Sequence, residues 1–331
     1  MRKKGKRKKL IVGLAVILTI FIAAVIWISN LMFDFALNPN SDFTIIDLMS
    51  ADSTTDAEQD SQSTEAEISP ELQKFYEEAA AWFESGEEAV LTSEDGLALK
   101  ARCFPQDSSH RYAIVCHGYG GNGAQMLGYA KQFYSMGCSV LVPDARAHGE
   151  SEVAYYGMGW LERKDVLGWA DQLIAADPEA EIVLFGVSMG GATVMMTAGE
   201  KLPEQVKCIV EDCGYTSVWD EFSLQLKNLF GAPDFPLMYT TDLICRLRAG
   251  YGFREASAVE QLKKSEVPML FIHGEEDTFV PYSMLDPVYE ACTSTEKEKL
   301  TVAGAAHGAA ASTDPDLYWS TVETFVNKHL S

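Results

Sequence analysis

Polar and apolar positions divide the chain into three zones. Leu10 to Ile28 are nineteen residues without a charge, and the apolar character runs on to Phe33. That length predicts a helix able to cross a hydrocarbon core of ~30 Å. Residues 34–69 change to Asp, Glu, Ser, Thr and Gln, as in ADSTTDAEQDSQSTEAE, with too little apolar surface to offset chain entropy. A disordered acidic linker is expected there. Beyond it Ser69 and Pro70 read as a helix start, and Leu72, Phe75, Tyr76, Ala79, Ala80 and Phe83 recur at three- to four-residue steps up to Ser85-Gly86.

From Glu87 onward the period changes. Glu88 to Thr92 and Leu97 to Phe104, parted by Ser93-Glu-Asp-Gly, predict a β-hairpin. Short apolar runs follow at 112–116, 139–142, 182–185, 208–210, 269–272 and 300–302, with helical stretches near 124–136, 161–176, 190–201 and 282–292. Alternation of that kind implies an α/β fold, a mostly parallel central sheet with helices on both faces. It is interrupted between about Tyr215 and Ala258, where Trp219, Phe222, Leu226, Phe230 and Met238 are broken by Pro233 and Pro236. The expected element is a small helical cap on the C-terminal side of the strands.

Charge adds orientation. Acidic residues outnumber basic ones 48 to 26, a formal charge of −22, which argues against a nucleic-acid partner. Seven Lys/Arg nevertheless fall in residues 1–9, directly before the apolar zone. A basic cytoplasmic tail (1–9), a single-pass transmembrane signal anchor (10–33) and an extracytoplasmic remainder are therefore expected at a cell membrane. A cleaved signal peptide is the rival; its apolar core is usually shorter and ends at a small-residue cleavage site, which is not evident here. The seven cysteines are scattered through strands, form no CxxC pair and do not read as a disulfide framework. Cys116, Cys138 and Cys208 fit small buried hydrophobes.

Candidate chemistry centres on Ile182 to Gly191, IVLFGVSMGG. An apolar strand runs into Gly186-Val187-Ser188-Met189-Gly190, and small and apolar residues follow. That context fits a G-x-S-x-G turn, in which a strand, a turn too tight for side chains and a helix leave the serine hydroxyl exposed at the sheet edge. His307, on a loop past the last strand, is the expected base, with His329 as a weaker rival. Asp277, its neighbours Glu275 and Glu276, and Asp212 after the sixth strand are the candidate acids.

Four stretches together resemble the alpha/beta-hydrolase superfamily over most of residues 87–331. They are Cys116-His-Gly-Tyr-Gly-Gly; Asp144-Ala-Arg-Ala-His-Gly-Glu-Ser; Gly186-Val-Ser-Met-Gly-Gly; and His273-Gly-Glu-Glu-Asp-Thr-Phe-Val-Pro with Gly304-Ala-Ala-His-Gly. The resemblance implies an alpha/beta-hydrolase domain over 70–331 with the cap at about 215–258. It also implies a catalytic set Ser188, Asp277 and His307, and an oxyanion hole from the backbone N–H groups of Tyr119 and Met189. His117, His148 and His273 would be structural, and neither metal nor cofactor is expected. Ala147 stands where the family usually carries Gly. The implied activity is a membrane-anchored serine hydrolase cleaving a carboxylic ester or related acyl bond of a small molecule. A serine peptidase of prolyl-oligopeptidase-like type and a non-catalytic binding protein on the same fold are the alternatives.

Overall fold

A computed structural model describes residues 2–45 and 70–331. Eight strands form one sheet in the order β1-β2-β4-β3-β5-β6-β7-β8. Their ranges are Glu87–Thr92, Ala98–Phe104, Arg111–Cys116, Ser139–Pro143, Glu181–Val187, Val206–Asp212, Met269–Gly274 and Lys297–Val302. Strands β1 and β2 form the expected hairpin, β2 also pairs antiparallel with β4, and every later pairing is parallel. Parallel strands need crossovers, and the predicted helices supply them as Leu127–Ser135, Glu162–Ala176, Met189–Thr197 and Leu285–Ala291, while helix Pro315–His329 follows the last strand.

Strands β4, β5 and β7 are buried along their whole length or nearly so, as expected of strands covered on both faces. Two apolar clusters result, one on each side of the sheet. All seven cysteines are free thiols, and six are buried. The stretch between β6 and β7 folds into helices Val218–Phe230, Leu237–Arg248 and Ala258–Leu262, placed where the cap was expected. Ser217 and Ser257 cap the first and third of these with side-chain oxygens.

The N-terminal zone departs from its expected boundaries. One helix runs from Arg2 to Leu37, four residues past the predicted end of the anchor. Its exposed apolar stretch, with Leu10 and Ile17 each above 60 % accessible, is the part long and apolar enough to cross a membrane. Its last turns instead dock on the domain. Phe33 and Leu37 are fully buried in the same cluster as the cap, and Ile45 is buried as well.

Residues 34–45 are therefore not linker. Leu37 and Ile45 are buried and Phe35 packs on Phe230 of the cap with ring centroids 5.9 Å apart, so burial of roughly 1.5–3 kcal/mol per large side chain offsets the cost of ordering them. Polar groups fix the register of this contact. Arg248 binds Asp34 at 2.7 Å and lies 4.2 Å over the ring of Phe33, Ser29 hydrogen-bonds Thr240, and the N–H of Tyr156 donates to the Leu37 carbonyl at 3.0 Å. The remainder of the predicted linker, 46–69, with the Ser69 cap, lies outside the described residues.

Candidate active site

Ser188 sits between β5 and the helix Met189–Thr197 at φ 57° and ψ −118°, a conformation that costs a side-chain-bearing residue energy. Crowding explains the glycines around it. A Cβ on Gly186 would lie 2.1 Å from the Gly190 carbonyl oxygen, and one on Gly190 would lie 2.2 Å from that of Cys116. The Ser188 N–H donates to the Asp212 carbonyl at 2.8 Å, which ties the turn to β6.

His307, on the loop after β8, places Nε2 2.9 Å from Ser188 Oγ and Nδ1 2.7 Å from Asp277 Oδ2. The three residues singled out in the sequence thus form one hydrogen-bonded chain across three loops. In the tautomer this network requires, Nδ1–H donates to the carboxylate and Nε2 accepts from the hydroxyl. The other Asp277 oxygen accepts from the N–H groups of Phe279 and Val280, both at 3.0 Å. Burial alone would raise the Asp277 carboxyl, but hydrogen bonds from His273 and His307 outweigh it and hold it below the usual carboxylate range.

The rival acids are placed elsewhere. Asp212 is buried and bonded to Tyr318 Oη at 2.9 Å, and burial pushes its carboxyl up to about 6. Glu275 and Glu276 are exposed. His329 lies at the end of the terminal helix, near Glu296. Cys213, Asp277 and His307 offer ligand atoms within 4.8 Å of one another, and burial holds the Cys213 thiol well above its usual range.

Met189 opens the helix behind Ser188, where the first N–H groups have no intrahelical acceptor. The loop after β3 approaches from the other side: a Cβ on Gly118 would touch the Ser188 Cβ at 3.4 Å. Two histidines that sequence reading assigned no specific partners shape this loop. His117 Nδ1–H donates to the Gly118 carbonyl at 2.7 Å and Nε2 accepts from the Ala145 N–H at 3.0 Å. His148 Nε2 accepts from the Gly120 N–H at 3.1 Å, while Nδ1–H donates to the Arg146 carbonyl at 2.9 Å. Burial and the neighbouring His117 push His148 down to about 3, so it is neutral and free to accept.

Ala147, between them, stands at φ 64° in the left-handed region, which accounts for the glycine usual at that position. The Tyr119 side chain lines the wall of the site, and its hydroxyl donates to the carbonyl of Ala36 at 2.7 Å, at the end of the N-terminal helix. Nothing in the local sequence of either residue signals that contact, because they are 83 positions apart.

A family model for the alpha/beta hydrolase fold matches residues 114–244. The chain has the alpha/beta hydrolase fold. The esterase Pf2001 of Pyrococcus furiosus superposes on 75 % of this chain and 94 % of its own, with a TM-score of 0.62 at 21 % identity. The acylaminoacyl peptidase of Pyrococcus horikoshii matches 74 % of this chain and 41 % of its own, with a TM-score of 0.56 at 17 % identity. Among sequence relatives, the uncharacterized protein YqkD of Bacillus subtilis is 27 % identical over 72 % of this chain and 78 % of its own length. The uncharacterized membrane protein YNL320W of Saccharomyces cerevisiae is 22 % identical over 72 % of this chain and 79 % of its own.

Proposed function

We propose that the chain is a membrane-anchored serine hydrolase that cleaves a carboxylic ester, or a related acyl bond, through an acyl-enzyme. The hydrogen-bonded chain Ser188–His307–Asp277, at 2.9 and 2.7 Å, carries this reading. Ser188 Oγ attacks the acyl carbon as its proton passes to His307 Nε2. Asp277 stabilises the imidazolium and keeps it oriented. The carbonyl oxygen, now an oxyanion, is met by the N–H groups of Met189 and Tyr119. Collapse expels the alcohol, which takes the proton from His307, and water then repeats the sequence on the acyl-enzyme and releases the acid.

The esterase and peptidase similarities support hydrolysis in general; no acidic pair placed to hold a substrate amine is evident in the sequence, so ester cleavage is preferred. The surroundings of Ser188 favour an apolar acyl group. They comprise Tyr119, Met158, Tyr215, Phe222 and Phe279, with Glu221 also present. Burial pushes the Glu221 carboxyl up to about 8, so it is neutral at pH 7. The basic residues before the apolar helix support a cytoplasmic N-terminus and an extracytoplasmic catalytic domain.

Labelling of the intact chain in detergent with a fluorophosphonate tests the reading. Wild type should label, Ser188→Ala should not, and His307→Ala should label far more slowly. A well-folded wild type that stays unlabelled and hydrolyses no ester would replace this reading with that of a binding protein.

A further inference from the structure

The cavity at Ser188 is bordered by a second one between the cap and the N-terminal helix. Ile45, Phe222 and Gln225 line it and also line the second cavity, which is partly open to the outside. One wall of this second cavity is the cap, with Leu226, Leu229, Phe230, Leu237 and Met238. The opposite wall is the end of the N-terminal helix, with Met32, Phe35 and Ala36. Among the described residues, Gln225 and Thr241 are the only polar side chains lining this second cavity.

The cavity opens beside a helix whose preceding turns are exposed and apolar. Next to it the cap presents Tyr239, Leu243 and Leu247 at four-residue steps, 48 %, 55 % and 78 % accessible, and Phe235 at 73 %. Tyr239, Leu243 and Leu247 form one stripe on the outer face of Leu237–Arg248, whose inner face carries Met238, Thr241 and Cys245. An apolar stripe flanking a membrane-length helix is placed to enter the interfacial layer of a bilayer.

We propose that this second cavity is the acyl-chain pocket of the Ser188 site, that its occupant is the chain of a single-chain lipid ester drawn from the bilayer, and that the N-terminal helix is a wall of the active site as well as an anchor. The proposal rests on the serine hydrolase reading and adds the substrate class and its route of entry. The chain lies between Met32 and Phe35 on one side and Leu226 and Met238 on the other, passes Ile45 and Phe222, and presents its carbonyl carbon to Ser188. The alcohol portion remains on the His307 side. Tyr119 links the two functions, because its N–H belongs to the proposed oxyanion hole and its hydroxyl is held by the helix carbonyl of Ala36.

The intact chain in phospholipid nanodiscs, supplied with p-nitrophenyl esters from acetate to dodecanoate, tests the proposal. In wild type kcat/KM should rise roughly fourfold per added methylene over the first several, the value expected for burying a methylene group. Met32→Trp and Leu229→Trp, one on each wall, should lower the decanoate-to-acetate ratio of kcat/KM at least tenfold. Partition of long esters into the disc is the same for every variant and drops out of this comparison. A flat or falling series in wild type overturns the proposal. So does a rising series whose ratio both variants leave unchanged. If Met32→Trp loses acetate turnover as well, its packing has failed, and the half-exposed Leu229→Trp decides. A wild type that turns over no ester and takes up no fluorophosphonate refutes the hydrolase reading itself, which is a different result.

Discussion

Arg146 carries a prediction whose size follows from its burial. Its guanidinium binds Asp165 through two parallel bonds, Nε to Oδ2 and Nη2 to Oδ1, both at 2.7 Å, and reaches Asp95 at 2.8 Å. The Arg146 and Asp165 side chains are 4 % and 6 % exposed, whereas Asp95 is 56 % exposed. The Asp95 bond is therefore worth under ~1 kcal/mol, and the weight falls on Asp165.

Arg146→Met leaves a buried carboxylate without its counter-charge, at a cost of about 3–5 kcal/mol. For a domain of this size each kcal/mol moves the melting temperature by about 2 °C, so a fall of roughly 6–10 °C is expected. The loss should depend on pH. Burial already raises the Asp165 carboxyl against the pull of Arg146, and without the arginine it rises further. A carboxyl whose folded pKa lies above its unfolded value contributes stability below the unfolded value and loses it as pH rises through the folded one. The variant should therefore be hurt less at pH 5.5 than at pH 8.

Thermal unfolding of the intact chain in detergent, followed by the fluorescence of its six tryptophans, measures both losses. Arg146→Met/Asp165→Leu should recover most of the stability. Equal losses at the two pH values, with no recovery in the double variant, would falsify the assignment to the buried pair. Because the His148 ring is held by the Arg146 carbonyl and itself holds the Gly120 N–H, fluorophosphonate labelling should also slow in Arg146→Met.

Two further expectations concern the turn and the buried acids. Gly190→Ala places a methyl 2.2 Å from the Cys116 carbonyl oxygen, so β3 and the turn must separate; a stability loss of about 1–3 kcal/mol and a labelling rate at least roughly a hundredfold lower are expected, and a variant with wild-type labelling refutes the close-approach argument. Burial pushes the Glu211 carboxyl up to about 8, so the stability it contributes near pH 5 is lost as pH rises through 8; Glu211→Gln should match wild type at pH 5 and exceed it by roughly 2–4 kcal/mol at pH 9, as read from paired melting curves, and a constant difference at both pH values counts against it.

Much of the fold and of the candidate site was legible in the sequence, because their signals are local. A run such as Ile182-Val-Leu-Phe can be read as a buried strand from four consecutive residues. The glycines beside Ser188 declare a turn with no room for side chains, and the chain order Ser188, Asp277, His307 carries the resemblance on which their roles rest. Even the cap was readable as an interruption in the alternation of strands and helices.

What the sequence left open is settled between distant segments. Residues 34–45 are polar enough to read as linker, yet Leu37 and Ile45, like Phe33 just before them, are buried because the cap supplies an apolar face more than 170 positions away. No periodicity within the N-terminal zone marks that partner. The Tyr119–Ala36 and His148–Gly120 bonds, and the cavity shared by the cap and the N-terminal helix, likewise exist only once the chain has folded. The sequence determined the fold class and the residues able to do the chemistry, since those depend on short-range pattern. Only the tertiary structure decided that a helix readable as a tether also packs its last turns on the cap and walls a cavity there, since a contact between two apolar faces leaves no mark in the spacing of either.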